Sequence, residues 1–435
     1  MIRRLRTVAV PVIGVALVGV VLLGSPGVAS GQGSAGRGGA AGPGRPCFDV
    51  TAPLTVEEQR LDDAPAPGQP AAGPELVRLG GFDDDVRRFE DRLCAGLPRS
   101  EAEAFVARAG RQLWRAAVER ARSTAAWDAY DDRPLYWARL LLTRAVRQWA
   151  PRRYPLPDAE RARLVRRLDD AARGVDDVGS RPGARRVAVT GFDPFQLSGA
   201  AVRRSNPSGA AALRLDGREF DTPRGRVVVE AAVLPVSWES FDGGIVERFY
   251  GGVLTGGRAP DALVTVSQGR PGRFDVERWA ARWRGGAPDN NDVAAHGVVP
   301  DAPGWPQPAH EFIETTLPAQ RMVDAGTGPY PVLFNRSFCE WPPGSTPGVG
   351  APDCRTDEPT PGAVAAVGSG GDYLSNESMY RANRLRLGLS ATAAGGHLHT
   401  PVLGLPADPA ALTDPAFEAD RRRVVDQVAA LIAVV

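Results

Sequence analysis

Ser375 stands where a Gly-rich stretch runs into a helix-forming one, in GGDYLSNESMY at residues 370–380. A serine at such a join has two ordinary uses. Its hydroxyl can cap free N–H groups of the helix, or it can point into a cleft and attack a carbonyl. Attack requires an imidazole to take the hydroxyl proton and a carboxylate to orient that imidazole. The chain has four histidines, His296, His310, His397 and His399, and the last two fall in GGHLHTP. Two residues apart on a strand, they share a face, so metal-dependent hydrolysis through His397 and His399 is one reading. No HExxH-type helix accompanies them, and no metal is expected. Glu277 follows a Gly-rich turn in SQGRPGRFDVERWA and is the candidate carboxylate. Taken alone, a Glu beside an Arg is a solvated surface residue. TGFDPF sets Phe192 and Phe195 around Asp193 and Pro194, a pair that by itself would fill core.

These residues need a scaffold, and the pattern after DDVGSRPGARR supplies one. Short β-branched runs (RVAVTGF, RVVVEAAVLPV, DALVTVS, AVAAVGS, HTPVLGL) alternate with helical segments, ending in DPAFEADRRRVVDQVAALIAVV. Such alternation argues for a three-layer α/β/α fold with a mostly parallel sheet. Sites in these sheets gather at the carboxyl ends of the strands. Residues 190–196, 267–277, 370–376 and 396–401 lie at such ends or in the following loops and are expected to converge.

Upstream, residues 76–180 read as a small all-α domain packed by Trp114, Trp127, Trp137 and Trp149. Its helix through Phe105, Ala109, Leu113 and Ala117 starts with an expected capping box, Ser100 with Glu103. Residues 31–75 are rich in Gly, Ala and Pro and read as a flexible linker. Residues 1–30 carry a basic start, an apolar run and a small-residue cleavage region, an export signal, with an uncleaved anchor as the alternative. No later stretch would span a bilayer. Cys47, Cys94, Cys339 and Cys354 suit an oxidising compartment, and proximity pairs the first two and the last two. With no CxxC, neither a zinc ribbon nor a thiol redox centre is indicated. The 52 basic residues, all arginine, balance 51 acidic ones for a net charge of +1. No electrostatic footprint for nucleic acid or an anionic membrane follows.

Taken together, seven motifs in order resemble the pyroglutamyl peptidases (pyrrolidone-carboxylate peptidases), cysteine enzymes that remove an N-terminal pyroglutamyl residue. They are TGFDPF at 190–195, NPS at 206–208, LPV at 234–236, ERxA from Glu277 with PDN at 288–290, TTLP at 315–318, the nucleophile stretch 370–376 with Met379 and Tyr380, and 396–401 around His399. The resemblance covers about residues 186–435. Three departures stand out. Ser375 replaces the family's cysteine, residues 335–364 have no counterpart and read as a disulfide-stapled loop insertion, and the turn before Glu277 is shifted by about one residue.

The resemblance implies Ser375 as nucleophile, His399 as general base and Glu277 as orienting carboxylate. It further implies Phe192, Phe195 and Gln268 as substrate-binding residues, with no cofactor. The expected partner is a peptide bearing an N-terminal pyroglutamate. Exported serine escapes the oxidation that would threaten a thiolate, but must lose its proton during attack. The alternative is a catalytically inactive protein that binds blocked peptide N-termini.

Overall fold

A computed structural model describes residues 47–179, 184–222, 224–257 and 259–435. The export signal, residues 1–30, and the first part of the linker lie outside the described residues. Twelve α-helices are described: α1 Val56–Gln59, α2 Ala72–Gly80, α3 Asp83–Cys94, α4 Arg99–Arg122, α5 Arg133–Gln148, α6 Asp158–Ala171, α7 Pro207–Leu215, α8 Trp238–Asp242, α9 Ile245–Thr255, α10 Ala319–Asp324, α11 Leu374–Gly388 and α12 Pro415–Val434. The main sheet contains β1 Arg185–Phe192, β2 Glu219–Thr222, β3 Gly225–Leu234, β4 Ala262–Gln268, β5 Phe274–Glu277, β10 Val332–Asn335 and β14 Ala394–Thr400. The smaller sheets pair β6 Trp279–Ala281 with β9 Phe312–Glu314, and β7 Trp283–Pro288 with β8 Ala294–Val298. A third groups β11 Phe338–Trp341, β12 Asp353–Arg355 and β13 Val364–Val367.

The main sheet runs β10-β5-β14-β4-β1-β3-β2. Its pairings are parallel except β14 with β5 and β2 with β3. Alternating residues serve the two faces. Val187, Val189, Val227, Val229, Val264 and Val266 join one core with α7 and α12. Ala188, Ala232, Leu234 and Leu263 join another with α9 and α11. The expected three-layer α/β/α arrangement is therefore present. The NPS motif explains one helix start: Asn206 is the N-cap of α7, its Oδ1 accepting from Ser208 N–H, with Pro207 in the first turn.

The helices before residue 180 do not form a core of their own. Trp114, Trp137, Trp149, Leu164 and Leu168 share one continuous core with the valines of the sheet. The four tryptophans do pack as expected, with Trp127 only partly buried. The capping-box expectation is corrected. Helix α4 begins at Arg99 after Pro98, with no side-chain cap, because the Leu97-Pro98 step already sets an extended entry. The linker expectation is also corrected over its described part. Leu61, Ala72 and Gly73 are buried there, and Thr55 and Glu58 form a reciprocal capping box on α1. Composition suggested a free chain, but a few apolar residues at helical spacing were enough to dock it. Cys47–Cys94 and Cys339–Cys354 are disulfide-bonded, the pairing expected from proximity. The second bond joins paired strands β11 and β12 within the 335–364 segment, while Asn335 itself still belongs to the main sheet. No helix among the described residues is long and apolar enough to cross a membrane.

Candidate active site

At the centre of the sheet, residues two apart on three neighbouring strands project to one face. In register, Thr265 lies beside His397 and Ser267 beside His399 across β4 and β14. On the other side, Glu277 lies opposite His397 and Asp275 opposite His399. The result is a buried polar stripe in which each imidazole has its own partners. His397 Nδ1 is 2.7 Å from Thr265 Oγ1 and its Nε2 is 2.9 Å from Ser267 Oγ. Burial, reinforced by the neighbouring His399 ring, pushes the His397 imidazole well below the usual histidine range. His397 is thus a neutral ring held between two hydroxyls.

His399 turns the other way. Its Nδ1 donates to Glu277 Oε1 at 2.7 Å, and Glu277 is fully buried. Asn335 Nδ2 donates to Glu277 Oε2 at 2.7 Å and to the Ser369 carbonyl at 2.7 Å. The carboxylate is therefore fixed from both oxygens. Two glycines make room for the ring. A Cβ on Gly269 would lie 2.6 Å from His399 Cβ, and one on Gly370 would lie 3.2 Å from its Cε1. Any side chain at position 269 would displace the imidazole.

Ser375 is the second residue of α11, whose N-cap is Tyr373 with no side-chain cap bond. The helix-cap use of this serine is not observed. Its Oγ donates to the Gly370 carbonyl at 3.1 Å. The first-turn N–H groups of α11 lack intrahelical acceptors by helix geometry, and they present donors and the positive end of the helix dipole. Asn376 anchors that turn: its Oδ1 accepts from Ala281 N–H and its Nδ2 donates to Ala281 O, both at 2.8 Å.

Ser375, His399 and Glu277 line one cavity of about 540 Å³, together with Phe192, Phe195 and Gln268. The four loops expected to converge all contribute to it. Phe192 is buried and stacks on Phe241 at 6.1 Å, so one ring face is committed to the core, whereas Phe195 is half-buried. Gln268 Oε1 accepts from Leu403 N–H at 2.8 Å. Tyr373 adds an aromatic wall, its ring edge-on to Trp238 and its hydroxyl donating to Pro288 O at 2.9 Å. Sequence reading missed Thr265, Ser267, Tyr373, Arg204 and Asn335. Only the alternation in VTVSQ hinted at the first two. Asn335 becomes a partner of Glu277 through the pairing of β10 with β5.

The helical region holds the loops that line this cavity. Arg139 of α5 and Arg173 each donate to Asp193 Oδ2 at 2.7 Å, in the loop between the two phenylalanines. Glu57 accepts from Asn290 Nδ2 at 2.9 Å, and the same amide nitrogen donates to Pro194 O at 2.9 Å. Asp132 accepts from Ser205 Oγ and, at 2.9 Å, from the backbone N–H of Asn206.

Comparisons with known proteins agree on two parts. A family model described as PA0049 N-terminal domain matches residues 39–169, and one described as PA0049, C-terminal domain, matches 186–307 and 346–404. The uncharacterized protein PA0049 of Pseudomonas aeruginosa is 32% identical, with 88% of this chain and 89% of its own length covered. Among solved structures, a variant pyrrolidone carboxyl peptidase from Pyrococcus furiosus is 21% identical at a TM-score of 0.37, covering 57% of this chain and 97% of its own. The pyroglutamyl peptidase I of Bacillus amyloliquefaciens is 19% identical at 0.35, covering 57% and 96%.

Proposed function

The chain belongs to the PA0049 family, whose two domains it carries in order, and we propose that it is an exported peptidase-like hydrolase that removes N-terminal pyroglutamyl or related lactam groups. The observation that carries this reading is the 2.7 Å pair of His399 Nδ1 and Glu277 Oε1, in a cavity that also holds Ser375 at a helix start. In the proposed reaction, His399 Nε2 takes the Ser375 hydroxyl proton as the oxygen attacks the scissile carbonyl. The N–H groups of the first turn of α11 stabilise the resulting oxyanion. His399 then gives its proton to the leaving amine, which departs and leaves an ester on Ser375. Water, deprotonated by His399, hydrolyses that ester. Glu277 holds the imidazole in the required tautomer and offsets its positive charge.

The lactam is flat and uncharged, which suits a wall of Phe192, Phe195 and Tyr373. A free N-terminal ammonium would lose hydration there, at a cost on the order of several kcal/mol if unpaired. Export is in keeping with two disulfides.

One observation favours the second reading, a binding protein for blocked peptide N-termini. The Ser375 hydroxyl donates to the Gly370 carbonyl, so it must rotate before His399 can deprotonate it. Turnover of a chromogenic pyroglutamyl amide separates the two. Hydrolysis lost in Ser375→Ala and His399→Ala supports the enzyme. Binding of pyroglutamyl peptides by wild type and Ser375→Ala alike, with no turnover by either, supports the binder. A gain in Ser375→Cys would mean that the site still favours a thiol.

A further inference from the structure

The cavity holds charged groups whose partners can be followed one by one. Both oxygens of Glu277 are taken, by His399 and Asn335. Arg270 donates to Asp275 Oδ2 at 3.0 Å. Arg204, which also lines the cavity, is different. Among the described residues no carboxylate lies within ion-pair reach of it, and its Nε is buried with no hydrogen-bond partner. Its one side-chain bond is a long one, 3.3 Å from Nη1 to the exposed Gln196 Oε1. Burial pulls the guanidinium below its ordinary range, and no neighbouring carboxylate opposes that. The adjacent Arg203 shows what a structural arginine does here: it donates to the carbonyls of Ala200, Asp408 and Ala411.

A half-buried cation facing a cavity without a counter-charge is costly unless a ligand supplies one. At about 540 Å³ the cavity also exceeds what one five-membered lactam needs. We propose that Arg204 is an anion subsite and that the substrates are acidic, carrying a carboxylate on the residue beyond the scissile bond. A guanidinium fork matches a carboxylate with two parallel N–H···O bonds. The carboxylate is either the free terminus of a blocked dipeptide or an acidic side chain. This deepens the lactam reading above and rests on it.

The test is calorimetric binding of three probes to the full chain carrying Ser375→Ala: pyroglutamyl-alanine, its terminal amide, and pyroglutamyl-glutamate α-amide. One carboxylate-bearing probe is expected to bind roughly tenfold more tightly than the neutral amide. The probe that does so identifies the source of the carboxylate. Adding Arg204→Met should erase the difference and leave affinity for the neutral amide unchanged. Equal affinity for all three, or a preference that survives Arg204→Met, overturns the subsite alone. Failure of all three to bind the folded protein overturns it together with the lactam reading.

Discussion

At the scale of single residues, the site is a matter of which hydrogen-bond partner each buried polar atom finds. His397 and His399 share a strand face, with ring centroids 4.5 Å apart, yet their neighbours assign them different work. Two hydroxyls hold His397, whereas His399 has one nitrogen on a carboxylate and no hydrogen bond to the other among the described residues. Under the proposed reaction, Asn335 matters because it fixes the second oxygen of Glu277. Asn335→Ala is expected to lower kcat by about 10- to 100-fold with KM little changed, the usual effect of removing a partner that orients a catalytic group. Steady-state kinetics on the chromogenic amide checks this, and a change confined to KM would contradict it. That the segments carrying Ser375, His399 and Glu277 converge on one cavity was legible in the sequence, because short motifs mark them. Asn335 was not, because it enters through strand pairing across 58 positions of sequence. No local pattern encodes that pairing.

At the scale of elements, the loops at the carboxyl ends of the strands are held from outside the sheet. Asp193 receives two guanidinium groups from the helical region, and all three side chains are buried. Both arginines also bridge Asp169, so neutralising Asp193 leaves two buried guanidinium groups to share that one carboxylate. Asp193→Asn should therefore destabilise the fold by about 3–5 kcal/mol, more than an exposed pair would. Urea unfolding measures this, and a loss below about 1 kcal/mol would contradict the clamp. The alternation of strands and helices was readable because period-two and period-3.6 patterns differ over a few residues. The docking of α1 and α2 was not. Their apolar residues are few, and the Gly, Ala and Pro around them dominate the composition.

At the scale of the whole molecule, two compositionally distinct regions share one core, and charged groups at their seam give the fold a pH dependence. Burial, and after it the charge of Asp131, pushes the Asp132 carboxyl up to about 7. A carboxyl raised in the folded state favours folding most fully below its unfolded value of about 3.9, and that contribution fades as pH rises toward 7. Asp132→Asn removes this titration, so its stability relative to wild type should improve from pH 5 to pH 8. Thermal melts at the two pH values check this, and a difference that does not change with pH contradicts it. The central claim concerns covalent chemistry at Ser375, and rapid acid quench during turnover of a pyroglutamyl ester, followed by peptide mapping, tests it most directly. The account predicts a pyroglutamyl ester on the peptide carrying Ser375, absent from Ser375→Ala. Product formation with that peptide unmodified at every quench time would contradict it.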